Sequence, residues 1–181
     1  MNAARAHRGF SVIELMVTVA LVALLMVIGM PMYGTWLQNS QLRASAESIM
    51  AGLQFARSEA VRRNDTQGVQ LALAGNAWSV YAVADTATIL RQGGGADLAA
   101  NAVVTPNPAD KTNVTFTSLG LTQDPVTKLA ITVDIDVTHA SRQCIADGGD
   151  MRCLRVQVRS GGLVRVCDPS VATAGDPRQC L

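Results

Sequence analysis

Three groups of side chains in this 181-residue sequence could do chemistry. Glu14 heads a run, Leu15 to Met30, that holds one threonine, one glycine and no charge. A carboxylate among lipid-compatible residues costs ~2.5 kcal/mol or more near a bilayer centre, less towards its edge, and is kept to meet a cationic partner. The four cysteines, Cys144, Cys153, Cys167 and Cys180, all lie in the last 38 residues. Their gaps include no CxxC pair and neither His7 nor His139 supplies a fitting ligand, so disulfides of an exported domain are expected and a metal is not. Three connectivities are open, and the sequence-local one, Cys144 with Cys153 and Cys167 with Cys180, is taken as the expectation. The third group is Arg155, Arg159 and Arg165. Strand alternation puts Arg155, Gln157 and Arg159 opposite the apolar Leu154, Val156 and Val158, with Arg165 on the next strand. Three guanidiniums on one face could contact phosphate, but a solvated outer face with Asp168 nearby is the preferred reading. With two histidines, no phosphate loop and no metal-ligand cluster, the chain reads as a non-enzyme without cofactor.

The elements that position these groups start with the first nine residues, MNAARAHRG, which carry Arg5, His7 and Arg8 and no acid. Basic residues before an apolar helix stay cytoplasmic, so the domain that follows should lie outside. A secretory signal would need a small-residue cleavage site after the apolar run, and GMPMYGTW has none. A plain anchor accounts for Phe10 to Met32, just long enough to cross a ~30 Å hydrocarbon layer, but leaves Glu14 unexplained. Fifteen basic and fourteen acidic residues give a net charge of +1. Loss of Arg5 and Arg8 would make it −1, and neither value selects for or against nucleic acid.

The stretch RGFSVIELMVTVALVALL resembles the type IV prepilin signature, with glycine before the cut, phenylalanine after it and glutamate fifth in the mature chain. The resemblance implies cleavage between Gly9 and Phe10 by a membrane prepilin peptidase and N-methylation of Phe10. It gives Glu14 an assembly role, neutralised by the terminal amine of its own chain or of a neighbouring subunit. A second segment, LQFARSEAVRRN from Leu53 to Asn64, resembles the subfamily of the minor pilins FimT and FimU and the secretion pseudopilin GspH. The ending RVCDPSVATAGDPRQC is similar to FimU-like and FimT-like tails, in which a disulfide closes a terminal loop. Taken together, the likenesses imply a minor pilin that primes or caps a type IV pilus. The alternatives are a GspH-like pseudopilin of a type II secretion system and a FimT-like DNA-binding pilin. Some FimT-type pilins carry Gly-Arg-x-Arg where this chain has Gly162, Leu163, Val164 and Arg165, so DNA is a possible partner but not the favoured one. The implied partners are the peptidase, other minor and major pilins or pseudopilins, and the inner-membrane assembly platform.

The expected organisation is a leader over 1–9, a transmembrane segment over 10–32 in the inner membrane, an amphipathic helix over 33–65 and a periplasmic β-rich domain over 66–181. One helix should run from Ser11 to Arg63, with a kink at Pro31 and an end at Asn64 and Asp65. Leu42, Ala46, Ile49, Leu53, Ala56 and Ala60 recur on one face and should lie on a sheet. Strands are predicted at Thr66–Leu73, Trp78–Ala84, Val114–Phe116, Leu129–Val137, Met151–Arg159 and Leu163–Cys167, with Gly93–Gly95 and Asn101–Lys111 as surface loop. The fold class expected is α+β, pilin-like: a long N-terminal helix packed on antiparallel sheet, in two small sheets.

Overall fold

A computed structural model of the chain describes residues 10–94 and 101–180, and only the backbone of residues 28–32. The leader 1–9, with Gly9, lies outside the described residues. The fold is α+β: helix α1 (Val12–Arg63) precedes nine antiparallel strands among the described residues. The chain divides into two compact units between Trp36 and Leu37.

In the first unit, every described side chain from Phe10 to Val27 is exposed, including Phe10 at 85% and Leu25 at 69%. Among the described residues of the unit nothing covers this surface, because a single helix has no interior of its own. Among the described residues no helix is long and apolar enough to cross a membrane. The fully described apolar stretch stops at Val27, and the kink expected at Pro31 falls on a side chain outside the described residues, where the helical backbone continues.

In the second unit the predicted stripe is the core. Leu42, Ala46, Ile49, Leu53, Ala56 and Ala60 are each no more than 1% exposed. They pack in one cluster with Leu71, Val80, Val114 and Phe116 of one sheet and Val133, Ile135, Val137, Val156 and Val158 of the other. Each fully buried large side chain contributes about 1.5–3 kcal/mol of apolar burial. The helix ends where Asn64 turns to φ 51°, a left-handed position asparagine tolerates, with its N–H donated to the Ala60 carbonyl.

The first sheet has the order β3-β2-β1-β5-β6, built from β1 (Val69–Ala74), β2 (Ala77–Ala82), β3 (Asp85–Gly94), β5 (Asn113–Phe116) and β6 (Thr122–Gln123). The second has the order β4-β7-β8-β9, from β4 (Ala102–Asn107), β7 (Val133–His139), β8 (Leu154–Val158) and β9 (Val164–Cys167). Several expectations are corrected. The strand expected at Thr66–Leu73 starts only at Val69, and that expected at Trp78–Ala84 ends at Ala82. The strand expected at Leu129–Val137 begins at Val133 and runs on to His139. Of Met151–Arg159 only Leu154–Val158 is strand, because the Cys144–Cys153 bridge holds the residues before it in a loop. Asn101–Lys111 is not all loop: β4 alternates buried Ala102 and Val104 with exposed Val103 and Thr105. It is an edge strand, where Pro106 is tolerated because a ladder hydrogen bond is not needed on its outer side. Gly93 and Gly94 close β3, a strand with no alternation to read since its residues are almost all exposed.

Trp78 fixes how closely helix and sheet approach. Its indole N–H donates to Ser48 Oγ at 3.2 Å, and its ring lies between Gly52 and Gly93. A Cβ on Gly52 would sit 2.9 Å from the ring, and one on Gly93 2.5 Å. Both positions must therefore stay without a side chain. Gly93→Val is expected to destabilise the protein by ~1–3 kcal/mol through overpacking, and Trp78→Ala by ~3–5 kcal/mol through the cavity left behind. Thermal unfolding followed by circular dichroism checks both, and an unchanged Tm for Gly93→Val would show that the slot has slack.

Candidate functional site

The residues singled out in the sequence do not converge on one pocket. They fall into a helix start, a helix end and a disulfide-bound sheet face. At the helix start, Phe10 and Ser11 precede the first helical residue, and the Ser11 carbonyl accepts from Leu15 N–H at 3.2 Å. Glu14 lies in the first turn, where the unpaired N–H groups of a helix favour a negative charge. Around it Val12, Ile13, Leu15, Met16 and Val17 are all at least half exposed. Among the described residues Glu14 has no ion-pair partner.

At the helix end, the segment Leu53–Asn64 splits its work. Leu53, Ala56 and Ala60 face the core, while Glu59, only 11% exposed as a side chain, accepts from Arg62 and Arg63 one turn on. Arg62 Nε lies 2.8 Å from one oxygen, and Arg63 Nε lies 2.7 Å from the other. Hydrogen bonds from Arg62, then Arg63, pull the Glu59 carboxyl down to about 2, against the opposing effect of burial.

On the sheet face, Cys144 is bonded to Cys153 and Cys167 to Cys180, with Cα separations of 5.4 and 5.1 Å. The first bridge closes a loop containing a 3-10 turn, Ile145–Asp147. That loop and the residues leading into it grip the helix: Arg142 Nη1 donates to Gln38 Oε1 at 2.6 Å, and within the loop Arg152 N–H donates to Asn39 Oδ1 at 2.8 Å. The second bridge holds the C-terminal segment on β9, where Arg165 Nη2 donates to the Gln179 carbonyl at 3.0 Å.

The outer face of β8 is not the solvated surface expected. Register pairs Arg155 with Asp136 of β7, and the guanidinium meets that carboxylate through two hydrogen bonds, of 2.6 and 3.0 Å. Asp134 lies 3.7 Å from Arg155 and 3.3 Å from Arg159. The Asp136 hydrogen bond raises Arg155 further above its usual range, so its charge is permanent and engaged. Gln157 is 1% exposed beneath Arg165, which donates to it at 3.0 and 2.8 Å. Asp168 caps the last turn through Ser170 and pairs with Arg152 at 3.4 Å, away from the role of counter-ion to Arg165. Asp134 and Asp136 were the residues missed. Their signal was present in Val133-Asp-Ile-Asp-Val137, which alternates in step with Leu154-Arg-Val-Gln-Val158, but only the pairing of β7 with β8 aligns the charges.

Comparison with known proteins adds to this geometry. The family model described as type II transport protein GspH matches residues 45–162, and that of the prokaryotic N-terminal methylation motif matches residues 4–30. The crystal structure of the type IV minor pilin FimU of Pseudomonas aeruginosa strain PAO1 is similar, with a TM-score of 0.52 at 23% identity. The likeness covers 73% of this chain and 97% of that one, and at this identity it speaks for the fold. No curated protein matches the sequence.

The Glu59 cluster makes a pH dependence testable. A carboxyl held at about 2 when folded and near 4.5 when unfolded adds stability above pH ~4.5, which is lost as pH falls towards 2. Allowing for solvent around the guanidiniums, the contribution is about 1 kcal/mol. The Tm difference between the parent and Glu59→Gln should be present at pH 6 and vanish near pH 2. A difference that stays constant over this range would separate Glu59 from the acid limb.

Proposed function

Because the chain belongs to the GspH family, whose matched region spans residues 45–162, we propose that it is a minor type IV pilin that helps prime or cap a pilus. The observation that carries this reading is Glu14 in the first helical turn, ringed by exposed aliphatic side chains and without an ion-pair partner among the described residues. The methylation motif over residues 4–30 supports processing at the Gly9–Phe10 bond by a prepilin peptidase. Cleavage there would create an amine at Phe10, and that charge, on this chain or on a neighbour, would satisfy the acid.

Before assembly, residues 10–32 anchor the chain in the inner membrane. The described apolar surface to Val27 is continued in sequence by Ile28, Met30 and Met32, while Tyr33 and Trp36, with ring centroids 5.8 Å apart, suit a headgroup boundary. Arg5 and Arg8 keep the leader cytoplasmic and put the disulfide-bonded unit in the oxidising periplasm. In the filament, helices of other pilins and the assembly platform's cargo of subunits replace lipid around the same surface.

The family match favours a second reading, a GspH-like pseudopilin of a type II secretion system, which needs the same leader, helix and domain. Gene neighbourhood separates the two. DNA uptake ranks below both, because phosphates would have to compete with Asp134 and Asp136 for Arg155 and Arg159. Purified protein is expected to give no salt-dependent shift of DNA, and a shift abolished by Arg155→Ala with Arg159→Ala would restore that reading.

Intact-mass analysis of membrane-extracted protein should show the loss of MNAARAHRG and the gain of one methyl group. Full-length mass in cells with an active peptidase would overturn the processing step. Glu14→Ala should still be cut yet enter filaments at least about tenfold less; normal incorporation would remove Glu14 from assembly.

A further inference from the structure

Away from the helix start, three exposed leucines of the second unit gather with Val61 at the Arg63 end of α1. Leu119 is 78% exposed, Leu163 57%, Val61 52% and Leu121 43%. They stand on two hydrogen-bonded turns and the helix. In one turn Thr117 N–H donates to the Leu121 carbonyl at 2.9 Å, and in the other Arg159 N–H donates to the Leu163 carbonyl at 3.0 Å. The turns are tied to each other by Thr122, whose N–H reaches the Ser160 carbonyl at 3.1 Å and whose hydroxyl reaches that of Arg159 at 3.1 Å. Gly162, at φ 75°, lets them close, since a Cβ there would lie 1.8 Å from the Gly120 carbonyl oxygen. Between the turn and the helix runs a groove lined by Arg57, Ser58, Val61 and Leu163. Arg57 Nε donates to the Gly120 carbonyl at 3.1 Å, and among the described residues Arg57 has no carboxylate partner.

We propose that this groove docks the globular domain of another pilin-type subunit, through a segment that presents a carboxylate to Arg57 beside an apolar side chain on the leucines. The proposal rests on the filament reading above and adds to it a surface on the folded unit, separate from the helix seam. Charge complementarity selects the occupant. One guanidinium without a carboxylate partner among the described residues, set beside Val61 and Leu163, matches one acid within an apolar patch. It does not match a nucleic acid, which needs several cations or stacking aromatics. The cross-tied turns hold the leucines in place before binding, so little ordering entropy is lost on docking.

The test uses the full-length chain in its own cells, with photoreactive benzoylphenylalanine in place of Leu163 and, separately, of Val17 on the helix. Illumination at Leu163 should yield an adduct whose partner peptide belongs to a different protein carrying an N-terminal methylation motif. Arg57→Glu should cut that yield about tenfold, and Arg57→Lys should leave it within about threefold. Since Arg57 also steadies Gly120, the same pair is read with the probe at Leu119, and Tm is measured for each variant. Adducts at Val17 with none at Leu163 or Leu119 would overturn the docking surface and leave the filament reading standing. So would adducts at these leucines only with lipid or with proteins lacking the motif, or indifference to Arg57→Glu. Failure at all three positions would bring down the filament reading and this proposal with it.

Discussion

Water is a poor solvent for the first part of α1. From Val12 to Val27 the helix is aliphatic on all sides with every side chain exposed, interrupted only by Glu14 and Thr18. At ~25 cal/mol per Å² of apolar surface, no arrangement of one helix can hide that area from itself. Among the described residues of that unit nothing covers it. From Leu42 onward the same helix narrows its apolar character to one stripe, and there the two sheets are the cover. One element thus carries two solvation problems, solved by different means.

This constraint also explains which parts could be read from the residues. Residues whose burial is one-sided announce themselves: Leu42 to Ala60 recur at helical spacing, and Val133 to His139 alternate along β7, whose inward residues are all buried. β3 offers no such contrast, because it lacks an alternating buried face, only Leu90, Gly93 and Gly94 being partly covered, and so passed unread. β4 had the alternation but also Pro106, and a proline argues against a strand until it is known to be at an edge. The cysteines could be assigned to disulfides from their number and place. The loop's grip on Gln38 and Asn39, by contrast, joins residues more than a hundred positions apart. At the helix start the residue types alone suggested a role for Glu14. On the β8 face they did not, since the charge of Arg155 means something different once Asp136 is opposite.

That face shows how a β-rich unit with a small aromatic complement keeps its outer layer ordered. Arg155 and Arg159 are paired with Asp134 and Asp136, and Arg165 is spent on Gln157 and the backbone of the C-terminal segment. Each guanidinium bridges strands or ties a loop to one, and the Cys167–Cys180 bond closes the segment that Arg165 holds. Partly exposed pairs contribute modestly to stability, but several in one network fix the relative placement of β7, β8 and the tail.

Under the proposed reading, the acid at position 14 has a purpose that an aliphatic residue could not serve. A seam of leucine and valine is nearly as well packed after sliding by a turn, because dispersion and lipid exclusion carry little positional information. A carboxylate changes that. In register it meets an amine, and out of register it is left uncompensated in an apolar medium, which is the costly outcome for any buried ion. The pair need contribute little net stability to be selective; what matters is the gap between the matched state and every shifted one. An apolar helix supplies the attraction between protomers, and a single acid near its start decides where along the axis that attraction comes to rest.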